Sequence, residues 1–192
     1  MQRKSLILLA FVFVAAAQIY VPASMVLEYG EIIETGSIYK FKTAPVDPND
    51  PLRGKYVTLS FERNLFRING VTDFVRGQDI FVMLKEDRDG FADIRDIVHE
   101  SPDNSSDFVK AKISAISFDS DSTSLYIDYP FDRFYMEENK APMAEETFNK
   151  AQRESAKITY AIVKIKDGNA ALEDVMIDGK SLQEIIDSSH TK

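Results

Sequence analysis

Few residues in this chain have the type and setting for chemistry. Ser24, in "PASM", would be a nucleophile if a desolvated lysine activated it, the Ser-Lys arrangement of a membrane-bound hydrolase. No lysine in the sequence sits in a context that marks it as that base. "DRDGFAD", Asp87 to Asp93, spaces acids in the manner of a calcium loop but lacks the remaining ligands and closing Glu of an EF-hand. An Asp-rich hairpin tip accounts for it, and equally for "DSDS" at Asp119 to Ser122. His99 and His190 stand far apart with no cysteine beside them, so they do not form a zinc set. The sequence assigns no catalytic residue, implies no cofactor and offers no metal site.

Two segments carry more information. "VDPNDPLRGKYVTLSF", Val46 to Phe61, joins two Asp-Pro units to an alternating run. Proline fixes φ and disfavours helix in the residue before it, so Asp47-Pro48 and Asp50-Pro51 make a stiff turn. Arg53 has the reach to brace Asp47 or Asp50 by a bidentate contact, and Gly54 supplies conformations that other residues adopt only at a cost. Lys55, Val57, Leu59 and Phe61 then share one side of a strand, and Tyr56, Thr58 and Ser60 the other. The segment reads as a device that pins strand register. The competing reading is a binding surface containing Arg53, Lys55 and Tyr56. The second segment is "DYPFDRFYMEEN". Tyr129, Phe131, Phe134 and Tyr135 are dense there and are mixed with Asp132, Arg133, Glu137 and Glu138. Most of these rings belong in a core, yet aromatics beside arginine also mark protein interfaces. Arg133, Tyr135, Glu137 and Glu138 are the candidate partner face.

The elements that must hold these segments are mostly strands. "SIYKFKTA", bounded by Gly36 and Pro45, and "GKYVTLSFE" read as strands, the latter the clearest in the chain. "DIFVMLKE" and "FADIRDIVHE" flank "DRDG" as a hairpin, and "DFVKAKISAISFD" and "TSLYIDYPF" repeat the arrangement around "DSDS". "APMAEETFNKAQRESA", Ala141 to Ala156, switches to a helical period, with Pro142 in its first turn and Met143, Ala144, Phe148 and Ala151 as its apolar stripe. "KITYAIVKIKDGNAALEDVMIDGKSL" returns to strands, turning at Asp167-Gly168, and a short helix from Leu182 to Asp187 precedes a polar tail. The expected fold is mainly β (α+β): an antiparallel, barrel-like domain with one sizeable helix.

At 192 residues the chain suits one domain with its own core, and its 44% apolar content excludes general disorder. Ser5 to Leu27 is free of charge and follows Arg3 and Lys4, a length that crosses hydrocarbon as a helix. One reading is an uncleaved anchor over residues 1–27, with Gln18, Tyr20, Pro22 and Glu28 at its far boundary. The other is a secretory signal cleaved near "AAAQ", Ala15 to Gln18, which releases the rest to the periplasm. Either way the basic tip stays cytoplasmic, and residues 28–192 form an extracytoplasmic domain. "LEYGEIIETG" is the nearest thing to a linker and would hold that domain a short distance from the membrane. With no cysteine the domain has no disulfides, and its core must stabilise it unaided. A net charge of -8 argues against nucleic acid and anionic headgroups as partners.

Gly54 to Phe61, preceded by the two Asp-Pro units and Arg53, resembles the signature of the bacterial GDYXXLXY protein family, which is named for that motif. The apolar N-terminus, "FDRFYMEENKAPMAEE" and "IVKIKDGNAALEDVMIDGK" extend the resemblance over nearly the whole chain. It implies an envelope protein encoded near, or fused to, multi-pass membrane proteins, and brings no accepted catalytic residues. Two departures matter. The family's Asp is Lys55 here, so no acid/base role of a motif carboxylate transfers to this chain. The family's final Tyr is Phe61, which keeps the ring and drops the hydroxyl. The function this implies is binding, as an accessory of a multi-pass membrane protein; the alternatives are a small-ligand-binding envelope domain and a Ser-Lys hydrolase.

Overall fold

Alternating apolar residues build two five-stranded antiparallel sheets in the computed structural model, which describes residues 2–45, 56–70, 72–102, 107–154 and 156–190. The chain opens with helix α1 (Gln2–Thr35), followed by β1 (Ser37–Ala44), β2 (Tyr56–Thr58), β3 (Ser60–Phe61) and β4 (Leu65–Asn69). Next come β5 (Asp79–Glu86), β6 (Ala92–Val98), β7 (Phe108–Phe118), β8 (Ser122–Asp128) and β9 (Arg133–Tyr135). Helix α2 (Ala141–Arg153), β10 (Thr159–Lys166), β11 (Asn169–Ile177), β12 (Lys180–Ser181) and α3 (Leu182–His190) complete it. One sheet runs β12-β11-β10-β1-β3 and the other β4-β8-β7-β5-β6, while β2 and β9 form a separate ribbon. The fold is mostly antiparallel and near-barrel, as the sequence implies.

The hairpins follow from local turn chemistry. Between β5 and β6, Asp87 Oδ1 accepts the amides of Asp89 and Phe91, each at 2.9 Å, so this carboxylate closes a turn. Between β10 and β11, Asp167 and Gly168 both take positive φ, the backbone a tight type I′ hairpin requires. Gly168 also joins the sheets: its carbonyl accepts Lys110 N–H at 2.9 Å. A Cβ there would come 2.4 Å from the Phe108 ring, which would have to shift, and the positive φ adds strain for any other residue, so glycine suits this crossing.

One core lies between the layers. Phe41, Phe61, Tyr129 and Phe131 form an aromatic quartet at its centre, every pair of rings within 5.7 Å. Tyr129 keeps its hydroxyl satisfied by donating to the Arg63 carbonyl at 2.8 Å. Helix α2 buries Ala141, Ala144, Phe148 and Ala151. Met143, expected in that stripe, is instead exposed, because the buried stripe runs through Ala141, Ala144, Phe148 and Ala151, and Met143 points about 100° away from Ala144 around the helix. Helix α3 runs past the expected Asp187 to His190, anchored by the fully buried Leu182 and Ile186.

Two further expectations are corrected. The clearest strand of the sequence is two short ones. Val57, Leu59 and Phe61 are buried as expected, but β2 pairs with β9 while β3 pairs with β1. Between them the Leu59 amide donates to the Asp132 carbonyl at 2.8 Å, so the segment turns a corner from one sheet to another. Nor is "LEYGEIIETG" a linker that holds the domain away from the helix. Helix α1 continues through it as far as Thr35 and packs on β10 and β11.

That packing is specific. Ile32 is buried, and Tyr29 donates its hydroxyl to the Leu172 carbonyl at 3.1 Å. Lys164 donates to the Ile33 carbonyl at 2.7 Å, supplying a cation and a donor to the last turn of the helix. Lys166 pairs with Glu31, and Asn169 donates to Glu28 Oε1 at 2.9 Å. By contrast, the apolar side chains from Ile7 to Leu27 are exposed, with none of the domain against them. The helix is long and apolar enough to cross a membrane.

Candidate functional site

The β2–β9 ribbon brings the two informative segments together. In its register Tyr56 opposes Tyr135, Val57 opposes Phe134 and Thr58 opposes Arg133. Val57 is driven inward by the alternation, which leaves Tyr56 and Thr58 on the outer side with Arg133 and Tyr135. The rings of Tyr56 and Tyr135 lie 5.6 Å apart. The Arg133 guanidinium sits 5.2 Å from the centre of the Tyr56 ring, a cation-π contact. Its hydrogen bond with Tyr135, and after it the charge of Asp132, hold the guanidinium in its charged form. Two separate candidates in the sequence are thus one surface, with arginine clamped between two tyrosines.

Two clefts adjoin it at Arg133. One, of about 590 Å³, is lined by Lys110, Lys112, Asp128, Asp132 and Arg133, among others. The other, of about 370 Å³, is lined by Arg133, Phe134, Tyr135, Leu172, Glu173 and, from α1, Tyr29. Pro130, Arg133 and Ala170 belong to both. The charges in the larger cleft are mixed: Lys112 pairs with Asp79 at 3.5 Å, and Lys110 donates a hydrogen bond to the neutral Asn169 Oδ1 at 3.0 Å.

The remaining candidates divide. Glu137 takes part in an ion pair with Lys140 at 3.2 Å, and Lys140 also reaches Asp187 at 2.9 Å on α3. That side of the candidate face is tied to helix packing. Glu138 is exposed beside it. Leu59 and Phe61 are core residues, Phe61 inside the aromatic quartet. Asp47, Asp50, Arg53, Gly54 and Lys55, with the expected Arg53 brace, lie outside the described residues. Ser24 lies in α1 and donates its hydroxyl to the Val21 carbonyl at 2.8 Å, bonded to no lysine among the described residues.

His99 is locked by neighbours. Gln78 Oε1 accepts the Val75 amide at 3.0 Å, which turns its Nε2 toward His99 Nδ1 at 2.8 Å. Nδ1 is therefore the acceptor, and Nε2 carries the proton toward Asp73 Oδ1 at 3.1 Å. The ring stacks on Phe74, which makes this a structural tie between the β4–β5 connection and the end of β6. Tyr29 is the site residue that sequence reasoning missed. The signal was there: "EYGEIIET" places Glu28, Glu31 and Ile32 at helical spacing, opposite the strand-spaced Lys164 and Lys166.

A family model described as "GDYXXLXY protein" matches residues 18–175, which includes β2, β3, β9 and the docked end of α1. No curated protein and no solved structure matches the chain.

Proposed function

The chain belongs to the GDYXXLXY protein family, and from that premise we propose that it is a membrane-tethered extracytoplasmic protein that works by binding, as an accessory subunit of a multi-pass membrane protein. The contact is the surface of Tyr56, Arg133 and Tyr135. One observation carries this reading: Tyr29 of α1 lines the same cleft as Arg133 and Tyr135. Tyr29 is only two residues beyond Leu27, about 3 Å along a helix, so the cleft stands at headgroup depth when α1 crosses the bilayer. A partner that reaches it must itself be at the membrane. The composition suits protein recognition, with tyrosines and an arginine whose planar group is already oriented.

The larger cleft supports a second reading, a small polar ligand held between Lys110, Lys112 and Arg133. Site-specific crosslinking from Tyr135 in intact envelopes separates the two. A polytopic membrane protein in the adduct, lost when Arg133, Glu137 and Glu138 are replaced together, supports the first. An unchanged adduct after that triple replacement removes this face from the proposal, and a small molecule retained by the purified protein favours the second.

A further inference from the structure

Gln18 presents a polar side chain from an otherwise apolar stretch of α1. It lies fourteen residues past Lys4, about 21 Å along a helix, whereas the hydrocarbon layer is about 30 Å thick. A helix that crosses the bilayer therefore buries Gln18 within hydrocarbon, not at the boundary where the sequence places it. Its side-chain amide has no hydrogen-bond partner among the described residues. Four residues later Pro22 lies inside the helix and has no N–H, so the Gln18 carbonyl loses its usual donor as well. Lipid chains satisfy neither group, and polar groups at this depth are satisfied within protein.

The direction of Gln18 is informative. Tyr29 comes eleven residues later, about three turns, so the two share a face of α1. Tyr29 is on the side against β11, which means the folded domain overhangs the membrane beside Gln18. That overhang decides the occupant. A second copy of this chain packed in parallel through the same face would bring its own domain into the space already filled by the first. A helix of another protein fits if it ends at the membrane surface in a short loop, below the domain.

We propose that Gln18 is the intramembrane half of the partner site, hydrogen-bonding a transmembrane helix of a polytopic protein whose adjacent short loop enters the cleft between Tyr29 and Arg133. This rests on the membrane-tethered reading above and adds the depth, the face and the kind of partner segment.

The test uses the full chain in its native membranes. Alkaline extraction comes first: release of the chain overturns the tethered reading and this inference with it. If the chain is retained, a photo-crosslinking amino acid is placed at Met25, two turns from Gln18 on its face, at Ala16 on the opposite face, and at Tyr135. The expected result is one polytopic protein crosslinked from both 25 and 135, the adduct from 25 mapping to a transmembrane segment. Its yield from Ala16 should be at least about tenfold lower, and Gln18→Leu should lower the yield from Met25 by about tenfold. Gln18→Asn, which keeps the amide, should retain most of it. Crosslinks between two copies of the chain, adducts to lipid alone, different proteins from 25 and 135, equal yields from 16 and 25, or indifference to Gln18→Leu would each overturn the inference while leaving the tether intact.

Discussion

Tyr56 and Tyr135 are direct register partners on β2 and β9, and their rings meet at 5.6 Å with the Arg133 guanidinium over Tyr56. An antiparallel aromatic pair of this kind contributes about 0.5–1.5 kcal/mol beyond its buried area. Tyr56→Ala and Tyr135→Ala should each destabilise the full chain modestly, and the double variant should fall short of their sum by about 0.5–1 kcal/mol. Urea unfolding in detergent, followed by circular dichroism, measures that coupling. Strict additivity would mean the rings do not support one another.

Phe61 stands where the family motif has a tyrosine, and it contacts Phe41, Tyr129 and Phe131. Phe61→Ala leaves a void that the rigid β1 and β3 frame cannot close, so a loss of about 3–5 kcal/mol is expected. Phe61→Leu, which refills part of the volume, should cost clearly less. If both variants unfold at the wild-type urea midpoint, the quartet is not the centre of the core.

Asp87 and Tyr129 act at opposite ends of the pH profile. The Phe91 amide, foremost, and the Asp89 amide hold the Asp87 carboxyl below its ordinary 3.8, with Lys42 and Arg63 adding to the effect. A lowered folded pKa stabilises the fold above the unfolded value, and that contribution fades as pH drops below about 4. Asp87→Asn should therefore be weaker than wild type near neutrality and converge with it in acid. Burial, with the charge of Asp93 behind it, pushes the Tyr129 hydroxyl well above its ordinary 10.0. Its contribution is complete below pH ~10 and declines above that. Tyr129→Phe should cost about 1 kcal/mol at neutral pH, from the lost bond to Arg63, and make the alkaline limb shallower, the remaining slope coming from Tyr39, whose hydroxyl is also raised by burial and by its hydrogen bond to Asp107. Thermal melts across pH would expose either failure.

What the sequence revealed was local. Asp87, Asp167 and Gly168 announce their hairpins because turn chemistry is contained within a few residues. The break at Leu59 is not local: it exists because Asp132, far along the chain, offers its carbonyl to the Leu59 amide. For the same reason the Tyr56 and Arg133 surfaces looked like separate candidates until β2 and β9 paired. Hydropathy stops at Leu27, so "LEYGEIIETG" resembled a linker; the lysines that capture this helix, Lys164 and Lys166, lie on another element.

The junction of α1 with β1 offers the sharpest test of whether helix and domain move as one body. Gly36 donates its amide to the Ile32 carbonyl at 2.8 Å, closing the helix as the chain turns into the sheet. A Cβ on Gly36 would lie 2.5 Å from that carbonyl oxygen and 3.1 Å from the Ile165 nitrogen. Both are main-chain atoms, so no side chain can swing aside, and Gly36→Ala must open the junction at a cost of about 1–3 kcal/mol. The core strands do not depend on this contact and should stay folded. Limited proteolysis of the full chain in detergent should then cut between Leu27 and Ser37 in Gly36→Ala, while the wild-type helix resists and the rest of the domain remains intact in both. Protection of that segment in Gly36→Ala equal to wild type would show that α1 is held by its side-chain contacts to β10 and β11 alone, and that Gly36 is not the hinge.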